Sequence, residues 1–141
     1  MRWLSILLIA ALACQSPEGL AVRGARRFQP LPDAQLDSLD RVLDACSGLP
    51  GSWRRVRFYA VDAMGIDDPG VGAVAGIWIS PHTIYLADSI QGLEVGVVGQ
   101  GLTPSQRWAE LVAHELLHDR LGVPGHPPVF TICGLAPTGG Y

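Results

Sequence analysis

The stretch "TPSQRWAELVAHELLHDRLG" (103–122) decides the fold. Thr103-Pro104-Ser105-Gln106 has the form of a capping box with proline at the first helical position, where a missing N–H costs nothing. Gly122 after Leu121, with Pro124 beyond it, is a helix stop. Between these signals the apolar residues do not keep to one stripe. Trp108, Val112 and Leu116 run along one side, and Leu111, Leu117 and Leu121 surround the histidines. A helix that is apolar all round is a buried one, so the segment predicts a buried C-terminal helix.

That helix carries His114, Glu115 and His118, which would be costly to bury unless something binds them. His114 and His118 stand four apart and so project from one face, a turn apart, where one divalent ion can take a nitrogen from each. Glu115 is rotated about 100° from His114. From there it is poorly placed as a ligand but within reach of a metal-bound water. This division of labour, two ligands and a general base, is what the pattern His-Glu-x-x-His encodes. With four His and four Glu in the chain, random placement would produce it in about 0.3 per cent of such sequences. Past the helix stop, Val123-Pro124-Gly125 returns the chain and offers His126 as third ligand, with Cys133 as a rival if its thiol is free. Three protein ligands plus a water make an open, catalytic type of centre, and Zn²⁺ is the ion expected there. His82 reads as an ordinary turn residue.

Outward from this helix the pattern is mixed. Leu36, Leu39, Leu43 and Cys46 recur at helical spacing after Asp33, a candidate N-cap, while Asp37, Asp40 and Asp44 lie off that face. "RRVRFYAV" (54–61) alternates, with Val56, Phe58 and Ala60 on one side and Arg55, Arg57 and Tyr59 on the other. "DAMGIDDPG" (62–70) reads as loop. "VAGIWIS" (74–80) and "HTIYLA" (82–87) read as a hairpin turning at Pro81-His82, and the glycines of 88–101 mark an irregular loop. Helix, strands, helix, with too few helices to cover both faces of a parallel sheet, predicts an α+β domain over 33–141.

The N-terminal residues have a different character. Trp3 to Ala13 is an apolar run behind one arginine, ending Ala11-Leu12-Ala13 before Cys14. Residues 1–13 therefore read as a signal peptide, too short for a bilayer span of about twenty residues. Cleavage after Ala13 fits one type of signal peptidase. Alternatively, "ALAC" resembles the lipobox of bacterial lipoproteins, which would lipidate Cys14 and tether the protein to a membrane. Residues 14–32, with Gly19, Gly24, Pro30 and Pro32, read as a flexible tether. Three cysteines in an exported chain leave one over. Lipidation of Cys14 would account for it and leave Cys46 and Cys133 to pair, a cross-link worth about 4–5 kcal/mol in the chain-entropy model. The expected location is extracytoplasmic, in a bacterial envelope or secreted. All ten basic residues are arginine and the net charge is −3, which gives no reason to expect a nucleic-acid partner. A monomer is expected.

"HELLH" is similar to the motif of the zincin metallopeptidases. The resemblance covers about a third of the chain: the helix 103–121, His126 and the hairpin 74–87. It implies His114, His118 and His126 as zinc ligands, Glu115 as general base, and a peptide or protein substrate laid as an added strand on a sheet edge. Either strand of the hairpin could be that edge. The later Gly122 and His126 resemble the metzincin subgroup, although both intervals here are four residues where that subgroup has three, and no methionine follows to form its Met-turn. The implied fold is a minimal zincin-like domain. Tyr85, His82 and Arg120 are the candidates for stabilising an oxyanion. The alternatives are a zinc-binding but inactive envelope module, and a structural lipoprotein whose histidines bind nothing.

Overall fold

The computed structural model describes residues 21–22, 24–62, 66–68, 72–73, 75–87 and 103–137. The expected signal peptide, Cys14 and the loop 88–101 lie outside the described residues. The elements run β1 (Ala21–Val22), β2 (Arg26–Arg27), α1 (Asp33–Ser47), a 3-10 turn (Trp53–Arg55), β3 (Arg57–Val61), β4 (Ile66–Asp68), β5 (Gly72–Ala73), β6 (Gly76–Ile79), β7 (Thr83–Ala87), α2 (Pro104–Leu121) and α3 (Val129–Ile132). The architecture is α+β. A four-stranded mixed sheet has the order β2-β3-β7-β6, and a small three-stranded sheet joins β1, β4 and β5. β3 and β7 are parallel, from Arg57↔Thr83 to Val61↔Ala87. β2 and β6 pair antiparallel on either side.

Both signals that define the central helix are realised. The Thr103 hydroxyl accepts from the Gln106 N–H while the Gln106 side chain accepts from the Thr103 N–H, and Gly122 closes the helix in the left-handed conformation at φ 67°. Residues 111 through 119 are buried without a break. Capping makes this a helix, and packing on every side makes it the centre of the domain. One side of α2 lies on the sheet. Another meets α1, whose Leu36 and Leu43 are fully buried. Phe58, Trp78, Ile84 and Leu86 come up from the strands to join Leu111, Val112, Leu116 and Leu117 in one core. Alternate residues point to the opposite face, where Val61, Ala87, Ile77, Tyr85 and Val22 form a second, smaller cluster. Tyr85 stacks there on Tyr59 with ring centroids 5.3 Å apart.

Four expectations need correction. Asp33 is the first residue of α1 and not its N-cap; Pro32 holds that position with no side-chain cap, and Asp33 accepts a hydrogen bond from Gln29. The strand expected over 54–61 begins at Arg57, because the Ser52 side chain accepts from the Arg54 N–H and winds Trp53–Arg55 into a 3-10 turn. Its alternation holds, with Val56, Phe58 and Ala60 all buried. Part of the stretch read as a tether lies on the domain: Arg26 and Arg27 pair with Ala60 and Tyr59, and the Trp108 indole donates to the Pro30 carbonyl at 2.8 Å. The segment read as loop over 62–70 contributes β4.

Polar contacts on α1 bind it to its neighbours. Asp37 accepts from the Trp53 indole and from Arg54. Arg120, whose side chain is 2% exposed, reaches from α2 to the Asp40 carboxylate at 2.7 Å, the Leu49 carbonyl at 2.9 Å and Asp44. Gly51 leaves the space that Arg120 fills, since a Cβ there would stand 2.8 Å from Arg120 Cγ.

Gly76 on β6 plays the corresponding part beneath the other side of α2. A Cβ at Gly76 would stand 3.0 Å from Glu115 Oε1 and 3.1 Å from Leu111 Cδ1 and Leu86 Cδ2. Gly76→Ala should therefore overpack the helix–sheet contact and destabilise the fold by about 1–3 kcal/mol. Gly125→Ala, with nothing within 4 Å of the new methyl, should be nearly neutral. Denaturant midpoints of the two variants, measured side by side, check this.

Candidate metal centre

His114, His118 and His126 converge. Their nearest ring nitrogens lie within 4.8 Å of one another, and the three rings are mutually 4.9 Å apart by centroid. The Nε2 of His114 is 3.2 Å from that of His118 and 3.0 Å from that of His126. A tetrahedral ion with metal–nitrogen bonds near 2.0–2.1 Å needs such edges to be about 3.3–3.4 Å. The two edges that meet at His114 Nε2 stand within a few tenths of an ångström of that.

Local sequence explains how each ring is aimed. Gly122 reverses the chain so that the Val123 carbonyl faces back at the helix, where it accepts from His118 Nδ1 at 2.9 Å. Gly134, also left-handed at φ 69°, turns the segment after α3 so that the Leu135 carbonyl accepts from His114 Nδ1 at 2.7 Å. A carbonyl can only accept, so both Nδ1 atoms carry hydrogen and both Nε2 atoms present lone pairs. Burial pulls the His114 and His118 imidazoles down to about 4, and that of His126 below its ordinary value. The rings are neutral near pH 7. Among the described residues, the groups within hydrogen-bond reach of those Nε2 atoms are each other and, for His114, the His126 Nε2. A proton on His126 can serve one lone pair of the facing pair and leaves the other opposed. A cation between them resolves all three, and the carbonyl partners are the outer-shell acceptors that metal-binding histidines characteristically use. The three residues suit a divalent ion that accepts imidazole nitrogen.

Phe130 forms the floor. It is fully buried, with its ring centroid 4.9, 4.6 and 4.9 Å from His114, His118 and His126. His126 is the open side of the cluster, the one ligand exposed to solvent.

Glu115 is 4% exposed and lies against β6. Burial pushes its carboxyl up to about 8, opposed in part by a hydrogen bond from the Trp78 backbone N–H. That bond fits the ladder. The Ala87 N–H donates to the Ala75 carbonyl, so 75 and 77 turn their polar groups toward β7, and 76 and 78 turn theirs away. β6 is an edge of the four-stranded sheet and β7 is interior, which decides which hairpin strand is the free one.

Asp119, which carries no signal in the sequence, organises the rest of the setting. Asp119 is buried, and its carboxylate accepts from the Trp78 indole at 3.0 Å, from Arg55 Nε at 2.9 Å and from His82 Nδ1 at 2.9 Å. Trp78 in turn stacks on the His118 ring, 6.5 Å between centroids. His82 is a turn residue as expected, at φ 52°, but one held by Asp119. Of the oxyanion candidates, Tyr85 belongs to the opposite face of the sheet, and Arg120 is occupied by α1. Cys133 is bonded to Cys46 and drops out as a rival ligand. Comparison with protein-family models, curated proteins and solved structures finds no match.

Two measurements test the centre. The intact chain should take up close to one divalent ion, and His126→Ala should lose most of it, as read by mass spectrometry of the metal content. The second concerns pH. Folded Glu115 keeps its proton to about 8, whereas the unfolded side chain releases it near 4.5. The folded state thus binds more protons in that window, and stability falls as pH rises through it. Metal-free Glu115→Gln should consequently melt above metal-free wild type at pH 8, the gap closing toward pH 5. The histidines run the other way, destabilising as pH falls from 6.5 toward about 4, and cancel in that comparison.

Proposed function

We propose that this protein is an exported zinc metallopeptidase of minimal zincin-like form. The observation that carries the reading is the pair of opposed imidazole lone pairs on one helix face, with a third histidine beside them and a buried glutamate between the helical ligands in sequence. Neutral nitrogen donors in an open three-ligand set suit Zn²⁺. A zinc ion held there would supply a Lewis acid and a water acidified toward pKa 7. Glu115 then acts as the proton carrier, taking the proton from the attacking water and delivering it to the leaving amine. Burial raises its pKa, and a positive charge held by the histidines would draw it back toward ionisation. The Gly76 backbone groups and the Trp78 carbonyl, which face away from β7, offer a peptide substrate a strand to pair with.

The disulfide is compatible with an extracytoplasmic location, and no helix among the described residues is long and apolar enough to cross a membrane. Signal cleavage, lipid attachment at Cys14 and a monomeric state complete the proposal. One observation favours a zinc-binding but inactive envelope module: neither Tyr85 nor Arg120 is placed to hold an oxyanion. Glu115→Gln separates the two. With zinc content unchanged, the substitution should lower kcat/KM on a peptide-library substrate by about 10²–10⁴-fold. Wild type with full zinc occupancy and no hydrolysis across such a library would establish the inactive module.

A further inference from the structure

We propose that the Cys46–Cys133 disulfide sets the metal affinity of the three-histidine centre, so that its reduction releases the ion. This rests on the reading of that centre as a metal site.

The segment from Gly122 to Leu135 supplies three parts of the centre: His126 as the third ligand, Phe130 as the floor, and the Leu135 carbonyl that fixes the tautomer of His114. Little secondary structure holds this segment in place. α3 is a single turn of four residues, with Pro128 as an N-cap that makes no side-chain hydrogen bond, and a helix so short has no stability of its own. Ile132 on it is 70% exposed. His126 lies between α2 and α3, flanked by Gly125 and Pro127, in neither helix. The segment is anchored at its start by the end of α2. Near its far end Cys133, the C-cap of α3, is bonded to Cys46 on α1, across 87 residues of sequence and with Cα atoms 5.3 Å apart. α1 is itself fastened to α2 by Arg120. The disulfide therefore closes a frame: α2 carries two ligands, α1 is bound to α2, and the cross-link holds the segment bearing the remaining parts against both.

Cutting the link leaves this segment held by Phe130 and Leu135 in the core, with Val129 and Ala136 packed at its edge. Removal of an outer-shell partner of a metal ligand costs about 10–100-fold in metal affinity, and a loosened segment compromises the Leu135 carbonyl and the placement of His126 together. The coupling is reciprocal, so a bound ion makes the disulfide harder to reduce by the same factor.

The test uses the full chain and zinc, titrated against a chromophoric chelator. Reduction is by a trialkylphosphine, which is oxidised to its phosphine oxide with oxygen from water while Cys46 and Cys133 each gain a proton and become thiols. The phosphine is removed anaerobically before titration, and the zinc itself changes no oxidation state. Oxidised wild type should bind zinc about 10–100-fold more tightly than either the reduced chain or Cys46→Ala/Cys133→Ala, with helix content retained in all three. Affinities within threefold of one another, or a reduced wild type that binds as tightly as the oxidised one through its new thiols, would overturn the proposal. If both cross-link-free forms lose their helix content, all three titrations are repeated in an osmolyte that restores it, and the same tenfold and threefold limits decide. Failure of oxidised wild type to bind zinc overturns the metal reading together with this inference, an outcome distinct from zinc bound without regard to the disulfide.

Discussion

Two backbone carbonyls, those of Val123 and Leu135, hold the centre of this molecule in an otherwise unfavourable state. Each takes the Nδ1 hydrogen of a histidine on α2, and each thereby turns that histidine's Nε2 lone pair toward the other. Burial removes the ordinary escape, which is protonation. Much of the surrounding structure serves to keep those carbonyls where they are: the left-handed glycines at 122 and 134, the single turn of α3, and the Phe130 ring beneath all three imidazoles. A side chain can be bent away from a poor contact at small expense, whereas a carbonyl fixed by the chain path cannot. The arrangement is therefore a property of the backbone as much as of the histidines.

The other side of α2 shows a second organising group. The Asp119 carboxylate gathers donors from the 3-10 turn, from β6 and from the β6–β7 turn. Its most consequential partner is Trp78, which lends its backbone N–H to Glu115, its ring to His118 and its indole N–H to Asp119. One residue on the edge strand so touches the environment of a ligand, of the candidate base and of the buried acid. The register of β6 against α2 is set by that contact and by the absence of a side chain at Gly76.

What could be read from the sequence was local. Capping residues, a glycine stop and apolar positions on every face are all properties of one segment, and they located α2 and its histidines correctly. Leu36 and Leu43 were legible on α1 for the same reason. What could not be read was pairing at a distance. Arg26 and Arg27 have too short a pattern to announce a strand; only the free edge of β3 makes them one. Asp119 resembled any acid on a helix until three donors were brought to it from 37 to 64 residues away. Arg120 looked available for chemistry because the acids of α1 that claim it are remote in sequence. Tyr85 was misjudged by parity, since its neighbours Ile84 and Leu86 face α2 and it faces the other way. Phe130 and the Leu135 carbonyl carried no signal, the first as a lone aromatic outside any periodic run, the second because a backbone group has no identity in a sequence.

The position of α2 along the chain has a consequence for how the molecule is made. The strands β3, β6 and β7 and the helix α1 all precede it, yet the inner faces of all of them are covered by it. Until residues beyond 103 are available, Phe58, Trp78, Ile84 and Leu86 lack α2 to pack against, and Cys46 lacks Cys133. Contacts of such long range form late and slowly, and sheet faces left open in the meantime are adhesive. A chain built this way is better suited to being carried unfolded and completed all at once than to folding piece by piece as it emerges.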